Sequence, residues 1–399
     1  MSIVFFGFFA AGSAKPCAKR LHSGFRYGTI RVSDLEEVFL MKKVLCVILA
    51  ALLLIPFGAI SFAGTGASGT LKMIAYNVSG IPLIGDFQGS VVTATNDRAA
   101  RLGRLLNGAE ADFISVEEDF NGHKYLAAEM TNFPNRSATS GGLAQGQGLN
   151  VFSGHAIYNV DRVKWRKEYG TLSGSADALS NKGFVYCLME LAPSVFIHVV
   201  TVHCDAGYDK LSVLARADNF RQLADYIGTN LNDGRALIVQ GDFNFKFKRG
   251  LDDDLYGNLM EPAGLQDVWL ELGGDGIMDP ADPGFRKDAA GDDLDRVLYR
   301  SGSDVTLAPL SKTVPPLTGE NGERYTDHNP MLTEFSYTVT GTLPAPEKLA
   351  VPEKENEALL TVKEILWTFV RLIQAVLGLT ELPYLIGQGF ELLANGKMP

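Results

Sequence analysis

The sequence is poor in cysteine, poor in positive charge and, with one exception, free of long uncharged apolar runs. Its 399 residues include four cysteines, and 36 Lys and Arg stand against 46 Asp and Glu. So few cysteines argue against a disulfide-stapled scaffold. The acidic balance leaves no basic surface for tight, non-specific nucleic-acid binding. A nuclease is not excluded, because a metal ion can bridge to a phosphate locally.

The remaining composition is typical of a folded protein with one large domain or two. Hydrophobic residues make up 46% of the chain, glycine contributes 42 residues, and no internal repeat is evident. The chain is therefore long and apolar enough to form its own core.

The exceptional apolar run covers residues 44–63, which carry no charge and follow Met41-Lys42-Lys43. The run ends in small residues suited to signal peptidase, and Pro56 and Gly58 disfavour a stable membrane helix. We predict a signal peptide at 41–63 and a secreted or periplasmic protein, with a retained anchor as the alternative. Residues 1–40 are interpreted as an upstream extension or a mis-called start. Without residues 1–63 the chain has 29 basic and 43 acidic residues, a net charge of −14.

From residue 70 the pattern alternates between strand-like and helix-like stretches, with hairpins and flanking helices. This mixture predicts an α/β (α+β) fold, a four-layer sandwich of two mostly antiparallel sheets flanked by helices, over residues 70–340. Predicted strands are 71–78, 112–117, 148–153, 156–160, 183–191, 195–203, 236–240, 297–299 and 331–337, and predicted helices are 95–107, 123–132 and 211–230.

Two of these helices have definite predicted faces. For 95–107 the predicted polar face is Asp97, Arg98, Arg101 and Arg104. For 211–230 the predicted core face is Leu214, Phe220, Leu223, Tyr226 and Ile227.

Cys187 and Cys204 remain after the leader, on the two strands of a predicted hairpin that turns at 192–194. In that register Cys187 lies opposite about residue 200, so Cys204 is displaced by roughly 13 Å. A disulfide needs much closer sulfurs. We therefore predict two buried thiols.

The chain after the predicted domain changes character twice. Residues 341–357 contain three prolines and many charges and are predicted to be a linker. Residues 358–399 form an apolar helical segment, which either packs back on the domain or contacts a membrane surface or a partner. Pro383 and Gly387 argue against a membrane-spanning helix there.

Polar residues stand at several predicted strand ends. Asn77 ends the first strand, Glu117-Glu118-Asp119 follows a buried strand, and His203 closes another. Each has an ordinary structural explanation when taken alone: a polar strand terminus, a surface acid, a structural histidine. A carboxylate cluster at a strand end is also a plausible Mg²⁺ site.

Further polar pairs follow in the second half of the domain. Asp242 and Asn244 bracket Phe243 in Gly-Asp-Phe-Asn at 241–244, so both face one side. Asp295 follows about 50 residues later, and Asp327-His328 precedes an extended exit at Pro330. The combined pattern predicts metal-assisted attack of water on a phosphate ester.

These motifs together resemble the endonuclease/exonuclease/phosphatase superfamily, over residues 71–337. The resemblance implies a DNase I-like fold. The matching pieces are Ile-Ala-Tyr-Asn at 74–77, Ser-Val-Glu-Glu at 115–118, Thr-Val-His-Cys-Asp-Ala at 201–206, Gly-Asp-Phe-Asn at 241–244, Leu-Asp-Arg-Val at 294–297 and Thr-Asp-His-Asn-Pro at 326–330.

The resemblance also implies roles for individual residues. Glu118 would hold Mg²⁺ (or Mn²⁺ or Ca²⁺), supported by Asn77 and Asp327. Asp242 would orient or deprotonate the attacking water, and Asn244 would donate a hydrogen bond to the phosphate. His328, held by Asp295, would act as a general base or stabilise charge. His203 would bind the phosphate or act as a general acid. The division of the base role between Asp242 and His328, and the number of metals, stay open. Glu117 departs from the usual Gln, and Cys204 from the usual aliphatic residue.

Two further residues bear on the substrate. Lys182 and Asn150 lie in segments that resemble sphingomyelinase-like members, and both are candidate substrate-binding residues; Lys182 could equally be a solvated loop lysine. We predict a secreted, monomeric, Mg²⁺-dependent phosphodiesterase of the sphingomyelinase or phospholipase C type. For residues 358–394 the pattern favours a helix that packs back on the domain, with contact to a membrane surface or a partner as the alternative. Phospholipid is the preferred substrate and nucleic acid the second. The alternatives are an extracellular nuclease, a phosphomonoesterase and an inactive secreted binding module.

Overall fold

The computed structural model describes residues 66–80, 96–120, 122–140, 146–169, 181–273 and 294–377. The predicted upstream extension at 1–40 and signal peptide at 41–63 lie outside these residues, as does the C-terminal segment beyond residue 377. Among the described helices, none combines the length and apolarity needed to cross a bilayer.

Two six-stranded sheets form the centre of the fold. The first sheet has the strand order β11-β12-β1-β2-β4-β3, and only its β1–β2 pair is parallel. Its strands are β1 (Ser68–Asn77), β2 (Phe113–Glu117), β3 (Asn135–Arg136), β4 (Asn150–Ser153), β11 (Val305–Thr313) and β12 (Met331–Val339).

The second sheet has the order β5-β6-β7-β8-β10-β9, and only its β7–β8 pair is parallel. Its strands are β5 (Ile157–Lys164), β6 (Gly183–Ala192), β7 (Val195–His203), β8 (Leu237–Asp242), β9 (Gln266–Asp267) and β10 (Asp295–Arg300).

Helices flank the two sheets. They are α1 (Asn96–Asn107), α2 (His123–Glu129), α3 (Lys210–Asn230), α4 (Glu261–Ala263, after a π-helical turn at Tyr256–Met260), α5 (Val268–Leu272) and α6 (Glu357–Leu377). One apolar cluster lies between the sheets, a second joins α1 and α2 to the first sheet, and a third joins α3 to the second sheet. The predicted four-layer sandwich of mostly antiparallel sheets is confirmed.

Several details of the predicted elements are wrong. Strand β11 was not predicted, because its apolar residues alternate only in part and Pro309 interrupts it. Arg98 is buried rather than on the polar face of α1, since it donates hydrogen bonds to backbone carbonyls. Leu214 of α3 is 48% exposed, and Val213 and Ala217 lie inward in its place.

The cysteine prediction is confirmed. Cys187 pairs in register with Val199 rather than with Cys204, and both thiols are free and buried. Burial raises the pKa of the Cys187 thiol to about 12, so it stays protonated and unreactive at neutral pH.

The predicted linker contains no helix or strand between residues 341 and 356. It lies against the domain: Asn159 donates from its backbone nitrogen to the carbonyl of Ala350 and accepts from the Ala350 nitrogen, both at 2.8 Å. Helix α6 follows, beside α2.

Candidate active site

Strand register brings the predicted site residues to one edge of the sandwich. Parallel pairing of β1 with β2 aligns Asn77 with Glu117, and parallel pairing of β7 with β8 aligns His203 with Asp242. Strand β10 runs the other way and starts at Asp295, opposite Asp242. Residues that are far apart in sequence therefore meet where these strands end or begin.

The turn after β2 carries Glu118 in a left-handed conformation, with φ of +56°. Gly80 packs on this turn so closely that a Cβ there would lie 2.1 Å from the Glu118 carbonyl oxygen. Asn77 donates from Nδ2 to Glu118 Oε1 and to Asp242 Oδ2, each at 3.1 Å. This amide therefore links the two sheets through two carboxylates.

His328 and Asp295 form a close pair beside Asp242. His328 Nδ1 lies 2.7 Å from Asp295 Oδ2, and its Nε2 lies 3.8 Å from Asp242 Oδ2. Burial works against the charged ring, but the carboxylates of Asp295 and Asp242 outweigh it and raise the pKa of His328 well above 6.5. The two carboxylates therefore favour the protonated ring, and its Nε2 edge faces Asp242.

His203 faces the same carboxylate from the other side. Its Nε2 lies 3.5 Å from Asp242 Oδ2 and 3.8 Å from Glu118 Oε1. Burial, together with the positive charges of Lys182 and His328, holds the pKa of His203 well below 6.5. Its ring is neutral and offers one N–H donor and one acceptor.

Asn244 and Lys182 converge on one carbonyl. Asn244 Nδ2 and Lys182 Nζ donate to the Cys204 oxygen at 3.1 and 3.3 Å, and the Asn244 backbone nitrogen donates to Asp242 Oδ1 at 2.8 Å. Lys182 is buried, so the alternative of a solvated loop lysine is wrong. Its charge acts on both Glu118 and His203.

The other two predicted residues have their hydrogen bonds outside this group, although the charge of Asp327 acts on Glu118 and His328. Asp327 accepts a hydrogen bond from the Ser79 hydroxyl and is exposed. Asn150 is buried in a separate network, where its Nδ2 donates to Asp119 Oδ2 at 3.0 Å and its Oδ1 accepts from Arg162 at 2.9 Å. Asn150 therefore supports neighbouring side chains in this geometry.

Glu117, where the resemblance implies Gln, is fully buried. The Ser115 hydroxyl donates to its Oε1 at 3.4 Å, while its Oε2 has no hydrogen-bond partner among the described residues. Burial, reinforced by Asp295 and Asp242, raises the pKa of Glu117 well above 4.5. Burial also raises the pKa of Glu118.

The oxygen atoms at this edge of the sandwich are ligands of the kind that a hard cation such as Mg²⁺ binds. Several carboxylates are buried within a few ångströms of one another, and oxygen ligands are those that Mg²⁺ prefers. Within the described residues, Asp242, Asp295 and His328 have ligand atoms within 4.8 Å of one another. His328 Nδ1 is already hydrogen-bonded to Asp295. We therefore regard the Glu118 carboxylate as a better ligand for a metal ion than the His328 ring. The Asn77 nitrogen faces Glu118, so this amide is oriented as a donor.

The sequence analysis missed the residues that tie the site loops together. Arg98 of α1 donates to the carbonyls of Val78 and Ser79 at 2.8 and 2.7 Å, and also to that of Tyr325. Thr326 donates to the Asn77 carbonyl at 2.7 Å. The position of Arg98, four residues before the apolar Leu102, is the one signal that its side chain faces inward.

Part of the chain matches a known protein family, and most of it is similar in sequence to curated proteins. Residues 145–273 match the model of the Endonuclease/Exonuclease/phosphatase family 2. Proteins described as sphingomyelinase from Mycobacterium tuberculosis (strain ATCC 25618 / H37Rv) and Mycobacterium bovis are 28% identical over 279 residues, or 68% of this chain and 53% of theirs. The chain thus spans about half the length of these curated relatives.

Two of the solved structures that align with this chain are the following. Sphingomyelinase C from Streptomyces griseocarneus is 18% identical, with a TM-score of 0.45, over 67% of this chain and 99% of its own. D. rerio TDP2 in complex with a single-strand DNA product is 16% identical, with a TM-score of 0.46, over 67% and 99%.

Proposed function

We propose that this chain, which belongs to the endonuclease/exonuclease/phosphatase superfamily, is a metal-dependent phosphodiesterase that prefers phospholipids of the sphingomyelin type. The observation that carries the proposal is the cluster at the strand ends, where Asp242 is surrounded by Asn77, His203 and His328. The 28% identity to curated sphingomyelinases supports the lipid substrate.

The cluster supplies the groups that hydrolysis of a phosphate diester needs. Asp242, held by hydrogen bonds from Asn77 and the Asn244 backbone, orients the attacking water. His328, held by Asp295, and the neutral His203 place N–H donors on either side of Asp242, where they meet the charge that develops on the phosphate oxygens. Mg²⁺ held by Glu118 would add electrostatic stabilisation of the same charge.

An exposed apolar strip beside the site favours a lipid substrate. Tyr208, just before α3, and Leu211 and Leu214, in its first two turns, are spaced three residues apart and follow the strand that ends at His203. Arg249 stacks 4.4 Å from the Tyr208 ring and donates to the Asn244 carbonyl at 3.1 Å, so the strip adjoins the site. Aliphatic side chains there suit acyl chains better than a nucleic-acid backbone.

Helix α6 offers a second apolar surface. It buries Leu360 and makes polar contacts with the domain: Lys363 donates to the Ser140 carbonyl, and Glu364 accepts from Asn96 and Tyr125. Its apolar row of Val362, Ile365 and Phe369 is 44%, 60% and 64% exposed. An apolar row that faces away from the domain supports the proposal that this region rests on a membrane surface.

Nucleic acid is the second candidate substrate, because the same cluster could cleave any accessible phosphodiester. The net charge of −10 disfavours it, since phosphate backbones bind basic surfaces. Secretion remains part of the proposal and rests on the leader-like sequence at 41–63; N-terminal sequencing of the native protein tests it.

The function is tested with the full chain on sphingomyelin vesicles and plasmid DNA, each with Mg²⁺ and with EDTA. We expect phosphocholine release that EDTA abolishes and that His328→Ala lowers by about 10³-fold or more. Lys348→Ala, on the segment that contacts Asn159 by its backbone, is the control. Cleavage of DNA but not of sphingomyelin would indicate a nuclease. If the protein hydrolysed neither substrate, the phosphodiesterase assignment would be contradicted.

A further inference from the structure

A second polar cluster is buried beside the candidate site and contains none of the catalytic residues. Its centre is His123, the first residue of α2, which is 1% exposed. His123 Nδ1 lies 2.5 Å from Asp119 Oδ2, and its Nε2 lies 2.5 Å from Glu355 Oε1. Glu355 belongs to the segment before α6, so this contact joins regions 232 residues apart.

The cluster contains positively and negatively charged side chains that lie next to one another, so its hydrogen bonds join charged groups rather than neutral ones. Burial disfavours the charged form of His123, but Asp119 and Glu355 outweigh it and raise the pKa to about 10. Arg162, whose pKa burial lowers to about 10, remains charged at neutral pH and reaches Asp119 through the Asn150 amide. Two cations thus offset two carboxylates, which is the condition for burying them.

The position of Asp119 gives this cluster its significance. Asp119 follows Glu118 directly, and its backbone nitrogen donates to the Gly148 carbonyl at 2.9 Å. Glu118 has a left-handed backbone that a residue with a Cβ adopts only when its surroundings impose it. Directly after this residue, the side chain of Asp119 is held by His123 and Asn150.

We propose that His123 and Glu355 form a clamp that immobilises Asp119 and so holds the Glu118 carboxylate in place for a divalent cation. Both are positioning residues, and the inference rests on the proposed metal role of Glu118. Accordingly, the C-terminal segment completes the active site from outside the two-sheet domain. Outer residues that orient a metal ligand affect metal affinity as well as stability.

The test is direct Mg²⁺ binding by the full chain, measured by isothermal titration calorimetry without substrate. Glu355→Ala leaves His123 Nε2 unpaired, and we expect the Kd for Mg²⁺ to rise about 3- to 10-fold. Glu353→Ala, an exposed carboxylate two residues earlier, is the matched control and keeps the wild-type Kd. In the double variant with His123→Gln, the two effects on Kd should be far from additive, because both act through Asp119.

Thermal unfolding in EDTA separates this role from a structural one. A lower Tm in Glu355→Ala with an unchanged Kd for Mg²⁺ would overturn the clamp and leave the metal assignment standing. A wild-type Kd in Glu118→Gln would overturn the metal assignment and, with it, the clamp. A raised Kd in both Glu118→Gln and Glu355→Ala, with Glu353→Ala unchanged, is the expected result.

Discussion

Single residues in this protein act through buried charge rather than through exposed charge. His123 lies between Asp119 and Glu355 with 1% of its surface exposed, whereas the ion pair of Arg101 with Asp97 is largely solvated. Exposed pairs contribute little to the free energy of unfolding, but removal of one member of a buried cluster leaves uncompensated charge. The effect of a charge substitution should therefore depend on burial.

At His123, the pH dependence of the free energy of unfolding tests whether a buried charge contributes to stability. Its pKa rises from 6.5 to about 10 on folding, so its contribution is complete below pH 6.5 and is lost as the pH rises towards 10. We expect His123→Gln to lower the free energy of unfolding by about 3 kcal/mol at pH 6.5, and by clearly less at pH 9.5. Urea unfolding of both proteins in EDTA at these pH values measures it. A difference that does not shrink with pH would contradict a charged His123.

At the scale of elements, the described part of α6 is amphipathic but leaves part of its apolar surface exposed. Most surface helices pack their apolar side on the core. Helix α6 buries Leu360 and bonds the domain through Lys363 and Glu364, but it exposes the row of Val362, Ile365 and Phe369. Such an exposed apolar row is the part of α6 on which the proposed membrane contact depends.

Replacement of the exposed row tests the membrane contact. We expect the triple change Val362→Ser, Ile365→Ser and Phe369→Ser to weaken binding to sphingomyelin vesicles at least tenfold, because apolar area that enters the bilayer is lost. Flotation with vesicles measures binding. The paired change Leu310→Ser and Val314→Ser, which removes comparably exposed apolar groups from the β11 region, is the control. Equal binding by the triple variant and the wild type would show that the row does not touch lipid.

At the scale of the whole molecule, the two sheets are held together by one apolar layer. Phe335 of β12 is fully buried in this layer and meets Tyr299 of β10 at 5.3 Å between ring centroids. The same layer sets the separation between Asn77 on the first sheet and Asp242 on the second. Core packing and site geometry are therefore coupled.

Truncation of this side chain should destabilise the molecule. We expect Phe335→Ala to lower the free energy of unfolding by about 3–5 kcal/mol, since it removes buried contacts and leaves a cavity. Leu310→Ala, half exposed on β11, should change it by no more than about 0.5 kcal/mol. Urea unfolding measures both. A loss below about 1 kcal/mol in Phe335→Ala would mean that the inter-sheet layer repacks.

Much of the fold and of the candidate site could be predicted because the relevant residues occupy recognisable positions in the local sequence. Polar residues at the ends of apolar strands, such as Asn77, His203 and Asp242, were identified from their positions, and the structure brings them together. The resemblance that these motifs carry is confirmed at the level of the superfamily, and so is the four-layer fold. The catalytic and metal roles of the individual residues remain predictions.

Other features depend on partners that no local pattern reveals. Arg98 was assigned to a polar face because arginine is usually solvated, yet three carbonyls from two site loops draw it inward. Leu214 was assigned to the core by periodicity, but α3 presents that flank to solvent near the site.

The amino-acid sequence by itself determined the strand pattern, the order of the polar motifs and the impossibility of a Cys187–Cys204 disulfide. These follow from the two-residue period of strands and from short-range spacing. Only the tertiary structure decided that His123 and Glu355 share one buried cluster and that α6 turns its apolar row outward. Both depend on how segments more than two hundred residues apart pack, and packing is settled by the summed burial and pairing of the whole chain.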